Sequence, residues 1–317
     1  MEFFCKNLSR RATHPILLVR SEYDAPIWIS SHESLKLAVG ECDFTCCETN
    51  HSGRSGSSVM KCSRPRVREV LDKMIDAKAK HLFDTNNIVH GRWVRTLKHW
   101  WLRRLKSDCE VAVPSSNSDE ETPGERFKLF LNWDEKLDGE FVDRGGVSLL
   151  SYAVCANRID DATYLINKIN EDYHKNDFER KRRIESRIPE SGFLYVGIPG
   201  SCTALIGAMT LASPDMVKLL LENGANPNAT EITGNNPLMC ACTYNRVDNV
   251  RFWLERFPQW NLEARNTYVG GIALGIAVYL GPNSSELTRL LLKHGAKIDT
   301  MCVTRVVELS SSLIRIN

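Results

Sequence analysis

The chain has 317 residues, of which 43% are hydrophobic and 25% charged, a composition that excludes wholesale disorder. Its longest apolar stretch, residues 270–281, is well short of the ~20 residues that a membrane-spanning helix needs. The net charge of +2 is unevenly divided, because residues 1–107 hold 19 Lys/Arg against 11 Asp/Glu. Two parts with different surfaces are therefore expected.

The first 106 residues are predicted to form an irregular basic region, mostly helical or partly disordered. No secretory leader is recognisable, so the eleven scattered cysteines of the chain are expected to be reduced. Side chains of the types that bind zinc cluster in this region: Cys42, Cys46, Cys47, His51 and Cys62. A C-x2-C knuckle is missing, and adjacent Cys46 and Cys47 cannot both bind one ion comfortably. We therefore expect unligated thiols and no metal or other cofactor, with zinc as the alternative.

The basic region is predicted to end in an amphipathic helix rich in Trp and Arg, at residues 91–106. Its apolar residues lie close to one helical face, and its basic residues surround that face. One interpretation is that the apolar face packs on the domain that follows. The other is that Trp93, Trp100 and Trp101 contact a membrane or a calmodulin-like groove. Packing is the favoured prediction, because three tryptophans bury a large apolar area. An acidic Ser/Pro linker follows at residues 107–124.

The remaining residues, 125–317, repeat a pattern. Three segments share a Leu and an Ala at matching places, namely TALIGA from Thr203, NPLMCA from Asn236 and IALGIA from Ile272. The shared Leu recurs after 33 and then 36 residues. A polar turn and a second apolar segment with helical spacing follow each of them. Two of these units end in Gly-Ala, where glycine supplies the left-handed residue that stops a helix.

This pattern resembles the ankyrin repeat, a helix–turn–helix unit of about 33 residues. The best match spans residues 200–229, and a weaker unit begins at Asp143. The resemblance covers roughly residues 125–300 and implies an all-α solenoid of about four ankyrin-type repeats, with an insert near residues 170–199. The T-P-L-H tetrapeptide of the family is intact in none of the four units. The hydrogen bonding that it provides is therefore expected to be lost or replaced.

No catalytic motif accompanies the repeats, and the chain is predicted not to be an enzyme. A nucleophile elbow, a P-loop, a His-Glu-x-x-His motif and a dinucleotide fingerprint are all missing from the sequence. The resemblance implies a protein-interaction module or scaffold, cytoplasmic or nuclear, that binds a protein partner on its concave surface. No nucleic-acid partner is expected. The variable positions of the family place the partner-binding residues at Thr210, Thr230, Ile232, Thr233, Asn235, Thr243, Tyr244, Arg265, Thr267, Tyr268 and Tyr279.

Two alternative functions stay open. In the first, the chain is an enzyme or effector in which residues 1–106 act and the repeats target it. In the second, it is a membrane-peripheral adaptor held by the basic Trp-rich helix. The metal content and the activity of the N-terminal region would test the first alternative, and co-sedimentation with vesicles would test the second.

Overall fold

The computed structural model describes residues 16–18, 27–29, 62–105, 122–133, 142–193, 197–279 and 285–298. The chain divides into two compact units, the first comprising residues 1–134 with 195–197 and the second residues 135–194 with 198–317. Residues 125–134, which the sequence-based division places with the repeats, group with the first unit. Two predictions lie outside the described residues: the zinc ligands apart from Cys62, and most of the linker.

The first unit contains a helical hairpin and a third, shorter helix. Its described elements are β1 (Ile16–Leu18), β2 (Ile27–Ile29), α1 (Arg64–Asp84), α2 (Ile88–Leu102), a 3-10 turn (Arg103–Leu105) and α3 (Pro123–Phe130). The two strands pair antiparallel, with Ile16 opposite Ile29, and the sequence did not predict them. Helices α1 and α2 pack together. In α1 the buried residues Leu71, Ile75, Ala79 and Leu82 recur at three- and four-residue intervals, which places them on one face.

Helix α3 is held at both ends by specific hydrogen bonds. At its start, the Thr122 hydroxyl accepts a hydrogen bond from the Glu125 amide, and the Glu125 carboxylate accepts one from the Thr122 amide. This reciprocal pair is a capping box. At its end, the carbonyl groups of residues 130–132 accept hydrogen bonds from Arg92 and Arg95 of α2. Arginines of α2 therefore cap the carboxyl end of α3.

We expect the first unit to lose stability at acidic pH because of His90 in α2. Burial, assisted by the charge of Lys78, lowers the pKa of His90 to about 4. Between about pH 6.5 and pH 4 the unfolded chain therefore binds a proton that the folded chain does not, and stability falls as pH falls through this window. The loss should be about 1–2 kcal/mol, since the imidazole is partly exposed and solvent screens it.

Urea unfolding at about pH 7 and about pH 4.5 checks this expectation. The His90→Gln variant should show a shallower pH dependence than the parent chain. A matched variant at the exposed His294, His294→Gln, should keep the parental dependence. Equal pH dependence in all three proteins would contradict the assignment to His90.

The second unit consists of stacked helical hairpins. The part of this unit that the structure describes contains four helix pairs and one additional helix after the first pair. In chain order they are α4 (Leu149–Cys155) with α5 (Ile159–Asp172), the additional α6 (Asp177–Ile184), α7 (Ala204–Leu211) with α8 (Pro214–Glu222), α9 (Pro237–Thr243) with α10 (Val247–Arg256), and α11 (Ala273–Tyr279) with α12 (Ser285–Lys293). The first helices of the pairs contact one another in chain order, and so do the second helices. We call these the inner and outer layers, and the apolar core lies between them.

The four inner helices are equivalent, as the sequence repeat predicts. Leu150, Leu205, Leu238 and Leu274 are each the second residue of their helix, and each is at most 5% exposed. The prediction that Leu205, Leu238 and Leu274 occupy matching inner-helix positions is therefore confirmed, and Leu150 occupies the same position in the first pair. None of the helices in the described parts of the chain is long and apolar enough to cross a membrane.

Local side-chain caps replace the missing T-P-L-H hydrogen bonds. Thr203 accepts a hydrogen bond from the Ile206 amide, and Asn236 accepts one from the Met239 amide at 3.0 Å. Ser148 caps α4 in the same way and also pairs with the Ser151 hydroxyl, at 2.8 Å. These polar caps satisfy amides at the start of each helix that have no partner within the helix.

The segment between the first two helix pairs is tied to the hairpins that follow it. The Glu185 carboxylate accepts a hydrogen bond from the Asn226 amide at 2.7 Å. Arg187 donates to the carbonyl oxygens of Ser201 and Thr230, at 2.8 and 2.7 Å. At Gly200 an added Cβ atom would lie 1.9 Å from the Glu190 carbonyl oxygen, so only glycine fits there. This part of the insert is therefore anchored to the stack.

Candidate partner-binding surface

A loop precedes each inner helix, and we call residues 198–203, 230–236 and 264–272 the tip loops of the last three pairs. In the middle tip loop, the Glu231 side chain is only 4% exposed and lies inside the turn. Its carboxylate accepts hydrogen bonds from the amides of Thr233 and Asn235, at 2.9 and 3.0 Å, and from the Thr233 hydroxyl. A buried carboxylate with this many donors holds the loop in one conformation.

The three tip loops form one hydrogen-bonded row. The Ile232 amide donates to the Gly200 carbonyl at 3.0 Å. The amides of Thr267 and Tyr268 both donate to the Thr233 carbonyl, at 3.1 and 3.2 Å. Side chains add to this link, because Asn266 donates to the Asn235 side chain at 2.9 Å. Each tip is therefore supported by its neighbour, and the side chains that it exposes are held on a rigid base.

The eleven residues predicted from sequence differ widely in exposure. Six are exposed: Thr230, Ile232, Arg265, Thr267, Tyr268 and Tyr279. Four are half-buried: Thr233, Asn235, Thr243 and Tyr244. Thr210 is buried, and its hydroxyl donates to the carbonyls of Ile206 and Gly207 within its own helix. Thr210 therefore has no exposed group to offer a partner.

Three of these residues occupy the same position in successive inner helices. Thr210, Thr243 and Tyr279 are each the seventh residue of their helix. Their exposure rises along the stack, from 5% at Thr210 through half-burial at Thr243 to 53% at Tyr279. The accessible part of the inner layer therefore lies toward the last two helix pairs.

The Tyr244 hydroxyl lies in the neighbourhood of buried thiols. Burial raises the pKa of its hydroxyl, and Cys202, Cys240 and Cys155 are close enough to raise it further. Burial also raises the pKa of Cys155 to about 12, and the pKa of Cys202 and Cys240 is likewise raised, mainly by burial. These thiols stay protonated at neutral pH, so they cannot serve as thiolate nucleophiles.

The sequence reasoning missed Val278, Glu231 and Asn266. Val278 is 42% exposed beside Tyr279, but an apolar residue in an inner helix is expected to lie in the core. Glu231 and Asn266 shape the tips from inside. One signal in the sequence could have identified Glu231. An acidic residue lies five positions before the helix-capping residue in two units, Asp143 before Ser148 and Glu231 before Asn236. Like Glu231, Asp143 accepts hydrogen bonds from amides of its own loop.

Within the described ranges, no group of three or more His, Cys, Asp or Glu side chains is arranged to hold a metal ion. What the second unit offers is a row of rigid tips with exposed aromatic, aliphatic and hydroxyl side chains. Such a surface can bind a partner by contact.

Comparison with known proteins agrees with this geometry. The family model described as "Ankyrin repeats (3 copies)" matches residues 200–302. Residues 200–302 are ankyrin repeats. The chain is also 36% identical over 101 residues to the B-cell lymphoma 3 protein homolog of Mus musculus, a match that covers 31% of this chain and 22% of the mouse protein. Ankyrin repeats are generally protein-interaction modules and are typically non-enzymatic.

Proposed function

We propose that this chain is a protein-binding module that holds a protein partner on the tip loops and inner helices of its last three ankyrin repeats. One observation carries the proposal. Ile232, Tyr268 and Tyr279 are 49%, 68% and 53% exposed, and two of them lie in hydrogen-bonded tip loops. Large side chains that are already held in place lose little conformational freedom when a partner covers them. Tyrosine is also among the residues that most often dominate the energy of an interface.

The membrane-adaptor alternative is disfavoured by the burial of the Trp-rich helix. Trp93, Trp100 and Trp101 are at most 2% exposed. The basic residues of the same helix have partners inside the first unit, since Arg92 and Arg95 cap α3 and Lys98 pairs with Asp76 at 2.8 Å. A helix whose apolar face is buried has no tryptophan with which to enter a bilayer. The effector alternative gains no support from the described residues, and the cytoplasmic or nuclear location stays a prediction.

We expect the double substitution Tyr268→Ala/Tyr279→Ala to reduce partner capture by about tenfold or more. The full chain is immobilised, extract from its source cells is passed over it, and retained proteins are quantified by mass spectrometry. The control carries Lys218→Ala/Arg251→Ala, two exposed charges of the outer helices, and should retain the same proteins as the parent chain. Circular dichroism confirms that all three proteins are folded. Equal retention by the two double variants would contradict the proposed surface.

A further inference from the structure

Formal charge is segregated between the two layers of the ankyrin repeats. The inner helices α7, α9 and α11 read ALIGAMTL, PLMCACT and ALGIAVY and contain no Asp, Glu, Lys or Arg. The outer helices α8, α10 and α12 read PDMVKLLLE, VDNVRFWLER and SELTRLLLK and carry ten such residues. The outer layer therefore presents a highly charged surface. Most residues of the inner helices are buried, and the side chains that these helices leave accessible, chiefly Thr243, Val278 and Tyr279, are uncharged.

The tip loops add little charge to the inner surface. Their acidic residue, Glu231, is buried and saturated by donors from its own loop. Arg265 is exposed, and its guanidinium donates to the Gly270 carbonyl at 2.9 Å. Arg187, which reaches the middle tip from the insert, donates to two carbonyl groups. Both guanidinium groups support loops, and both are exposed and keep their positive charge. Apart from them, the exposed side chains of the tips and of α11 are Thr, Ile, Tyr and Val.

An ionised side chain that a partner placed over these uncharged groups would bind poorly. Contact removes water from the groups that it covers, and an ionised side chain that loses its water without meeting an opposite charge is strongly unfavourable. Apolar and aromatic side chains gain from the same loss of water. The hydroxyl and amide groups of the tips can hydrogen-bond to the peptide groups of a bound segment.

We infer that this inner surface binds an uncharged segment of its partner, rich in aliphatic and aromatic side chains, and that the binding is insensitive to salt. The inference rests on the proposed function, and it specifies the chemistry of the partner. Salt screens attraction between charges, so a partner recognised through acidic groups would bind much more weakly as salt rises, whereas an apolar partner would not.

The test uses a phage-displayed library of random twelve-residue peptides, selected on the full chain. Sequences that are retained by the parent chain and by Lys218→Ala/Arg251→Ala, but not by Tyr268→Ala/Tyr279→Ala, are synthesised and their affinity is measured at about 50 mM and about 500 mM NaCl. We expect peptides without Asp, Glu, Lys or Arg at the enriched positions, and an affinity that changes less than about twofold between the two salt concentrations.

The two proposals fail in different ways. Tyrosine-dependent peptides that are rich in Asp and Glu, and that lose about tenfold in affinity at the higher salt, would overturn the inference and leave the binding surface standing. Failure to recover any tyrosine-dependent peptide would overturn both the inference and the proposed function. A third variant, Thr267→Lys, adds a charge at an exposed tip position and should weaken the selected peptides at both salt concentrations.

Discussion

Replacing Arg92 with methionine is expected to lower the free energy of unfolding of the first unit by about 3 kcal/mol. The side chain is 2% exposed, and it donates to the carbonyl oxygens of Leu131 at 3.2 Å and Asn132 at 3.0 Å. Its guanidinium also lies over the Trp133 ring, 4.5 Å from the centroid. Methionine fills a similar volume but leaves the two carbonyl groups without this donor. The loss is costly at Leu131, which is buried, because an unsatisfied buried acceptor is unfavourable.

Lysine at the same position should recover only part of the loss. A single ammonium group does not reproduce the planar fork that reaches two carbonyl oxygens and stacks on an aromatic ring. The matched control is Arg66→Met at an exposed position of α1, which should change the free energy of unfolding by less than about 0.5 kcal/mol. Urea unfolding measures the three variants, and hydrogen exchange should show the loss of protection in α2 and α3. An Arg92→Met variant as stable as Arg66→Met would contradict this role.

The helix pairs of the second unit could be predicted because their signal is local and repeated. Leu205 and Leu238 recur at a fixed spacing, and glycine marks the ends of two outer helices. The interior of the first unit has no such signal. Arg92 and Arg95 occur at positions where a helix could equally well carry solvent-exposed arginines. Their partners are backbone carbonyl groups, which every residue has, so the sequence does not reveal the pairing. Basic residues around a tryptophan face were therefore compatible with both burial and membrane contact.

The candidate surface was predictable by position but not by exposure. Matching places in the repeat identify Thr210 and Tyr279 equally well, yet Thr210 is buried and Tyr279 is exposed. Exposure depends on which neighbouring groups cover a residue, and that information is spread over several repeats. Tyr244 illustrates the same limit, since the thiols that raise the pKa of its hydroxyl, after burial, come from three different parts of the chain.

One buried amide joins two consecutive ankyrin repeats. Asn249, on the outer helix α10, is fully buried, and its amide nitrogen donates to the carbonyl oxygens of Ala208, Met209 and Ala212 at 3.0–3.2 Å. Ala208 and Met209 lie in the last turn of α7, and Ala212 directly follows it. Two of the three carbonyls have a second donor, since Ala208 also accepts from the Ala212 amide at 3.0 Å and Ala212 from Arg246. Three surrounding acceptors also determine which end of the side chain is the nitrogen.

We expect Asn249→Asp to destabilise the repeats by about 4 kcal/mol at neutral pH and Asn249→Ala by about 2–3 kcal/mol. Alanine removes the donor, whereas aspartate also directs a carboxylate oxygen at three carbonyl oxygens. Burial should raise the pKa of the introduced carboxyl above its ordinary value of about 3.9. Below about pH 4 the acid is protonated in both states and can donate one hydrogen bond. As pH rises toward the folded-state pKa, only the unfolded chain ionises, so the stability of the variant falls.

Urea unfolding of both variants and the parent chain at about pH 4 and about pH 7 tests this mechanism. The difference between Asn249→Asp and the parent, compared at the same pH, should be smaller at pH 4. The control is Asp248→Asn, which exchanges a carboxylate and an amide at the neighbouring exposed residue. It should change the free energy of unfolding by less than about 0.5 kcal/mol at either pH. If Asn249→Asp is as stable as the parent chain at both pH values while Asn249→Ala is destabilised, the amide acts by filling space. In that case the link between the two repeats does not depend on its hydrogen bonds.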